Sequence, residues 1–140
     1  MSLYNTILVT LEGTPTDRAI IEHIIPLAQA MKSRVVLLHV ASGVPAKYHR
    51  TDAAGKEVEE SQAYLERVRA EIAAAGISTD SELAYGEPAK EIVKWVEREG
   101  CDLVAMSTHG HKFVADLVLG TTAFEVQHSL RVPVLLLRAK

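Results

Sequence analysis

Apolar positions recur along the chain with two periods, and the alternation between them sets the expected architecture. Short runs rich in β-branched residues read as buried strands at Thr6 to Leu11, Arg34 to Val40, Asp102 to Met106 and Val132 to Leu137. A weaker run over Ser78 to Tyr85, carrying Leu83 and Tyr85 with Ile77 just before it, is a fifth. Between these runs the spacing is helical. From Lys56 to Ala75, Val58, Leu65, Val68 and Ile72 line one face, while Glu59, Glu60, Glu66, Arg67 and Glu71 fill much of the other. Thr16 to Met31 carries Ile20, Ile21, Ile24, Leu27 and Met31, with a cap expected at Thr14 or Thr16. A kink is expected at Pro26, since a mid-helix proline costs about 3 kcal/mol. Pro88 stands at a first helical position ahead of Ile92, Val93 and Val96, and Gly100 closes that helix. A last helix is expected from Thr121 to Leu130, with Phe124, Val126 and Leu130 turned inward.

Strands alternating with helices at this spacing imply right-handed crossovers. The expected fold class is therefore α/β, an open doubly wound five-stranded parallel sheet with helices on both faces. Two stretches break the alternation. Ala41 to Gly55, with Gly, Pro and small polar residues and no period, reads as an exposed loop. The other is Thr108 to Gly120. Ligands of open parallel sheets bind beyond the carboxyl ends of the strands, where both stretches lie.

The length changes this picture little: 140 residues make one domain, 1–140, able to bury roughly two thirds of its unfolded surface without a disulfide or a structural metal. The charge excludes more. With 18 acidic against 15 basic residues and a net charge of -3, the chain is not built to coat a phosphate backbone or an anionic lipid surface, so neither nucleic acid nor membrane is an expected partner. The single cysteine, Cys101, cannot form an internal disulfide, and no Cys/His cluster has zinc spacing. Met1 to Tyr4 has no basic region followed by an apolar one, and no apolar run approaches about 18 residues. A soluble, cytoplasmic protein is the expectation.

The chemically informative segment is Ser107-Thr108-His109-Gly110, then nine residues His111 to Leu119, then Gly120-Thr121-Thr122 opening a helix. Gly110 and Gly120 let the backbone approach a ligand without a Cβ in the way. Free N–H groups at the helix start, with the Thr121 and Thr122 hydroxyls, suit phosphate. Glycines after strands and threonines at helix starts also serve as plain turns and caps, and neither the Walker A nor the dinucleotide glycine spacing is present, so the pattern alone leaves both readings open.

Other residues read as structure. His39, inside an apolar strand, is expected to be a hydrogen-bonded core residue rather than a ligand, and Trp95 to pack on the third helix. Cys101 is expected to be inert, and a metal trio of His109, His111 and His128 is the lesser reading. Phe113, Val114, Leu117 and Leu119 are expected to fold their loop back as a short helical turn. No paired carboxylates or nucleophile and base are visible, which favours binding over turnover. Val132 to Leu137 makes an apolar edge strand that Pro133 blunts only in part, so pairing of two copies through it is expected.

The segment Asp102 to Gly110, through Leu119-Gly120-Thr121-Thr122, to Val132-Pro133-Val134-Leu135-Leu136 resembles the signature of the universal stress proteins. The resemblance runs the length of the chain. Ile7-Leu8-Val9 with Gly13-Thr14 is similar to that family's first strand and turn, Leu37-Leu38-His39-Val40 to its second strand, and Tyr85-Gly86-Glu87-Pro88 to its third strand leading into a helix. ATP-binding members carry Gly-x2-Gly-x9-Gly-Ser/Thr, and Gly110, Gly120 and Thr121 match its later positions while Ser107 stands at the first. Glu12 stands where the family commonly has Asp, and His111, followed by Lys112, where a basic residue is frequent.

The resemblance implies a strand order of 3-2-1-4-5, an adenine nucleotide (ATP, ADP or AMP) as ligand with any Mg or Mn carried on it, and a homodimer through the last strand. It implies that Thr10, Leu11 and Glu12 flank the nucleoside, that Val40 contacts the adenine, and that Ser107, Gly110, His111, Lys112, Gly120, Thr121 and Thr122 surround ribose and phosphates. The function implied is nucleotide-dependent stress response or signalling, with hydrolysis slow at most. Three rivals remain at this stage. A slow ATPase or nucleotidyl transferase is one, although Leu11-Glu12-Gly13-Thr14 lacks the transferase phosphate motifs. A phospho-receiver is another, lacking the acids it needs after the first and third strands. The last is a family member that binds partners and no nucleotide.

Overall fold

The structure is a computed structural model, and it describes residues 3–41, 52–108, 125–126 and 128–139. Its elements in chain order are β1 (Thr6–Leu11), α1 (Asp17–Met31), β2 (Arg34–Ala41), α2 (Asp52–Ala74), β3 (Thr79–Tyr85), α3 (Pro88–Glu99), β4 (Leu103–Thr108) and β5 (Val134–Arg138). Glu125, Val126, His128 and Ser129 are helical as well. All strand pairs are parallel, and the five strands lie in the order β3-β2-β1-β4-β5. The direction of the sequence therefore reverses between β1 and β4, which opens a crevice at their carboxyl ends.

Side-chain alternation along the strands splits the core in two. Ile7, Val9, Leu11, Val35 and Leu37 meet Ile20, Ile21 and Ile24 of α1 and Leu65, Val68 and Ile72 of α2. Leu8, Val36, Leu38 and Val104 meet Ala89, Ile92, Trp95 and Val96 of α3, together with Val126. Helices thus cover both faces, as the sequence implied, and the central strands are apolar on both sides because neither face meets water. Trp95 is buried in the α3 layer, with the Arg98 guanidinium 4.6 Å from its ring centroid.

Several boundaries differ from expectation, each for a local reason. Asp52 to Gly55 begins α2 instead of ending a loop: Ala53 and Ala54 are strong helix formers, and one glycine costs only about 1 kcal/mol in a helix. The last strand starts at Val134, not Val132, because Pro133 has no N–H; its carbonyl instead accepts from Val104 N at 3.1 Å. β4 begins one residue late, at Leu103, and runs on to Thr108, pairing with Arg138. Neither Thr14 nor Thr16 caps α1 through its side chain in the expected way. Thr16 has helical dihedrals and makes no cap hydrogen bond, while Thr14 Oγ1 accepts from Thr16 N at a long 3.3 Å. Helix α1 continues through Pro26. At α3 the reading holds, with Pro88 in the first turn and Gly100 at φ +66 closing the helix. The expected helical turn at Phe113 to Leu119, and Phe124, lie outside the described residues.

Candidate ligand site

β1 ends in a turn that must bend sharply into α1, and Gly13 takes φ +83 there, a region costly for any side chain. The turn is fixed by Asp17, whose carboxylate is almost fully buried. Its Oδ1 accepts from Glu12 N and its Oδ2 from Gly13 N, each at 2.8 Å, and the Tyr64 hydroxyl of α2 donates to Oδ2 at 2.6 Å. Three donors on one buried carboxylate meet the requirement that a buried charge be hydrogen-bonded. Burial first, then the hydrogen bond to Asp17, pushes the Tyr64 phenol above its ordinary range.

The ends of β2 and β4 are tied to the same corner. His39 Nδ1 lies 2.8 Å from the Leu11 carbonyl oxygen, and Ser107 Oγ accepts from Ile20 N of α1 at 3.1 Å in a buried setting. Above these strand ends lies a cavity of about 780 Å³, bounded by the ends of β1, β2 and β4 and by α2 and α3. Its volume is within the range of small-molecule sites, roughly 300–1,000 Å³.

Strand alternation gives this cavity two unlike sides. Leu38, Val40, Ile92 and Met106, all from the α3 layer, make an apolar side. Gly13, His39, Ser61 and Tyr64 make a polar side next to α1 and α2, and Arg67 stands at its rim with its guanidinium 5.8 Å from the Tyr64 ring centroid. The exposed carboxylates of Glu57 and Glu60 rim the same side. Such a space suits a molecule with one apolar part and one part rich in hydroxyl or amino groups.

Of the residues expected at the site, Thr10, Leu11, Glu12, Val40 and Ser107 all line this cavity. Gly110, His111, Lys112, Gly120, Thr121 and Thr122 lie outside the described residues. His39 makes the expected hydrogen bond, yet it is only half-buried and lines the cavity as well. The sequence reading missed Asp17, Tyr64 and Met106. An acid in the first turn of a helix is ordinarily read as a complement to the helix dipole, and nothing local marks Asp17 as buried. Cys101 is buried far from the cavity, at the opposite end of the sheet, and burial pushes its thiol up to about 11, in keeping with an inert residue. Among the described residues no three His, Cys, Asp or Glu side chains are grouped to hold a metal, and no helix is long and apolar enough to cross a membrane.

Comparison with known proteins gives a consistent result. Residues 3–138 match the model of the universal stress protein family. Universal stress protein MJ0531 of Methanocaldococcus jannaschii is 27% identical over 142 residues, covering 98% of this chain and 84% of that protein. Universal stress protein YxiE of Bacillus subtilis is 24% identical, covering 97% of this chain and all of its own length. The solved structure of MJ0577 superimposes with a TM-score of 0.83 at 26% identity, covering 99% of this chain and 98% of that one. Two further solved universal stress proteins share the fold, one in complex with cAMP (TM-score 0.72, 18% identity, 97% and 98% covered) and one from Archaeoglobus fulgidus in complex with dAMP (TM-score 0.71, 17% identity, 96% and 98% covered).

Proposed function

The chain belongs to the universal stress protein family, and from that premise we propose that it binds an adenine nucleotide at the carboxyl ends of β1, β2 and β4. The observation that carries this reading is the two-sided cavity at the reversal between β1 and β4, lined by Thr10, Leu11, Glu12, Val40 and Ser107. Structural relatives in complex with cAMP and dAMP support adenine as the base. In this reading the apolar side receives the adenine. The phosphates extend to Gly110, His111, Lys112, Gly120, Thr121 and Thr122, with Mg²⁺ or Mn²⁺ arriving on them. The protein acts as a single cytoplasmic domain in stress response or signalling and turns ATP over slowly or not at all.

Calorimetric titration with ATP, ADP and AMP tests the binding, alongside mass spectrometry of small molecules released from freshly purified protein. Saturable binding that Gly110→Val abolishes is expected; unchanged affinity in that variant rejects the phosphate assignment. We further propose a homodimer through Val132 to Leu137. β5 is an edge strand of the sheet, and its run Val134 to Leu137 makes an apolar edge that a second copy would cover. A monomer by light scattering at micromolar concentration refutes it.

A second reading, a member that binds partners and no nucleotide, draws on Ser107. Its hydroxyl is committed to Ile20 N at the position where ATP-binding relatives carry glycine.

A further inference from the structure

We propose that His39 reads the sugar of the bound nucleotide, its Nε2 accepting a hydrogen bond from a ribose hydroxyl. This inference rests on the nucleotide reading above and adds to it a residue whose strand position alone marks it as core.

The tautomer follows from geometry. A carbonyl oxygen can only accept, so the 2.8 Å contact to the Leu11 carbonyl requires the proton on Nδ1. With the ring's single proton on Nδ1, the lone pair lies on Nε2, and no described residue donates to it. The hydrogen bond to that carbonyl sets the orientation of the ring. His39 thus presents an oriented acceptor to the polar side of the cavity.

Charge decides what donates to it. The Asp17 carboxylate sits behind the same turn, bound to Glu12 N and Gly13 N, and it occupies the two amides that would otherwise attract an anion. A phosphate at this spot would meet a lone pair and a nearby negative charge. A neutral hydroxyl meets a fixed acceptor. With the base against Leu38, Val40 and Met106, the hydroxyl-bearing sugar is the part of a nucleotide that reaches across to His39.

The test compares AMP with 2′-deoxy-AMP and 3′-deoxy-AMP by calorimetry, in the wild-type protein and in His39→Asn. The asparagine amide can replace Nδ1–H on the Leu11 carbonyl but leaves nothing at the place of Nε2. One hydrogen bond corresponds to about a threefold to tenfold change in affinity. The wild-type protein is expected to prefer AMP over one of the deoxy forms by that factor, and His39→Asn, with an unchanged melting temperature, to lose the preference. A preference that survives in His39→Asn, or is absent from a wild-type protein that binds all three ligands, overturns the assignment while leaving nucleotide binding intact.

Nitrogen-15 NMR of the wild-type protein gives a second readout that needs no variant. The Nε2 resonance of His39 is expected to move on saturation with AMP and to move less with the deoxy form that binds more weakly. An unmoved resonance at saturation rejects the contact. Failure of the wild-type protein to bind any adenine nucleotide is a different result, removing the premise and this inference with it.

Discussion

The two ends of β1 are built with the same device and put to different use. At the start of the strand, Asp102 accepts from Asn5 N at 2.9 Å and from Thr6 N at 3.1 Å; at its end, Asp17 accepts from Glu12 N and Gly13 N. In both places one carboxylate satisfies two consecutive backbone donors that have no strand partner, a requirement for any strand that ends inside a fold. Around Asp102 the neighbours close in. Arg34 reaches Asp80 at 3.2 Å and Glu99 at 3.3 Å, and Ser33 Oγ donates to the Tyr4 carbonyl at 2.6 Å. Around Asp17 the neighbours stand back, and the sheet end opens into the cavity. Burial separates the two further, since Asp17 is 1% exposed while Asp102 is only partly covered. A buried carboxylate with three neutral donors fixes a turn rigidly beside empty space; a partly exposed one with charged neighbours closes that end of the sheet.

That contrast is broken most severely at Asp17. Asp17→Ala strands three donors, and chemical denaturation is expected to show a loss of about 3 kcal/mol or more, with weaker binding of the ligand proposed for the cavity because the turn is no longer held. Tyr64→Phe removes a single donor to a charged acceptor and is expected to cost about 1.5–3 kcal/mol by the same measurement. At the closed end the effects shrink. Asp102→Asn, partly solvated, is expected to cost about 1 kcal/mol and to leave ligand affinity unchanged. Arg34→Ala breaks ion pairs that are about a third or more exposed on at least one partner, and is expected to cost at most about 1 kcal/mol, less at high salt.

The last effect is confined to high pH. Folding holds the Cys101 thiol protonated up to about 11, whereas the unfolded chain releases that proton near the ordinary value of 9.0. Between these values the folded state binds more protons, so stability falls as pH rises through the window. Cys101→Ala is expected to flatten that part of a stability-versus-pH curve measured by denaturant titration. An equally steep fall in the variant would assign the proton elsewhere.

The strands and helix boundaries are more legible in the sequence than the turn that shapes the open end. β1 is legible at Thr6 to Leu11 because five of its six residues are buried, and Ile7-Leu8-Val9 with Leu11 marks it. Pro88 and Gly100 mark α3 through backbone constraints that act locally. The turn at the open end depends instead on contacts between distant residues. Asp17 and Tyr64 are 47 positions apart, and neither residue type nor local spacing announces that they meet. His39 shows the limit from the other side: its hydrogen bond was expected from its place in an apolar strand, but its exposure to a cavity follows from where β2 ends relative to β1. Residues 109–124, which carry most of the glycine pattern, remain a sequence argument.

The lone tryptophan of the chain has a practical consequence. Trp95 is packed in the same layer as Ile92 and Met106, which face the apolar side of the cavity, and its ring is covered by Arg98. Its emission therefore reports on that layer without any competing indole signal, and an adenine seated against Met106 and Ile92 would be read optically in the unmodified protein, with no dye or engineered label.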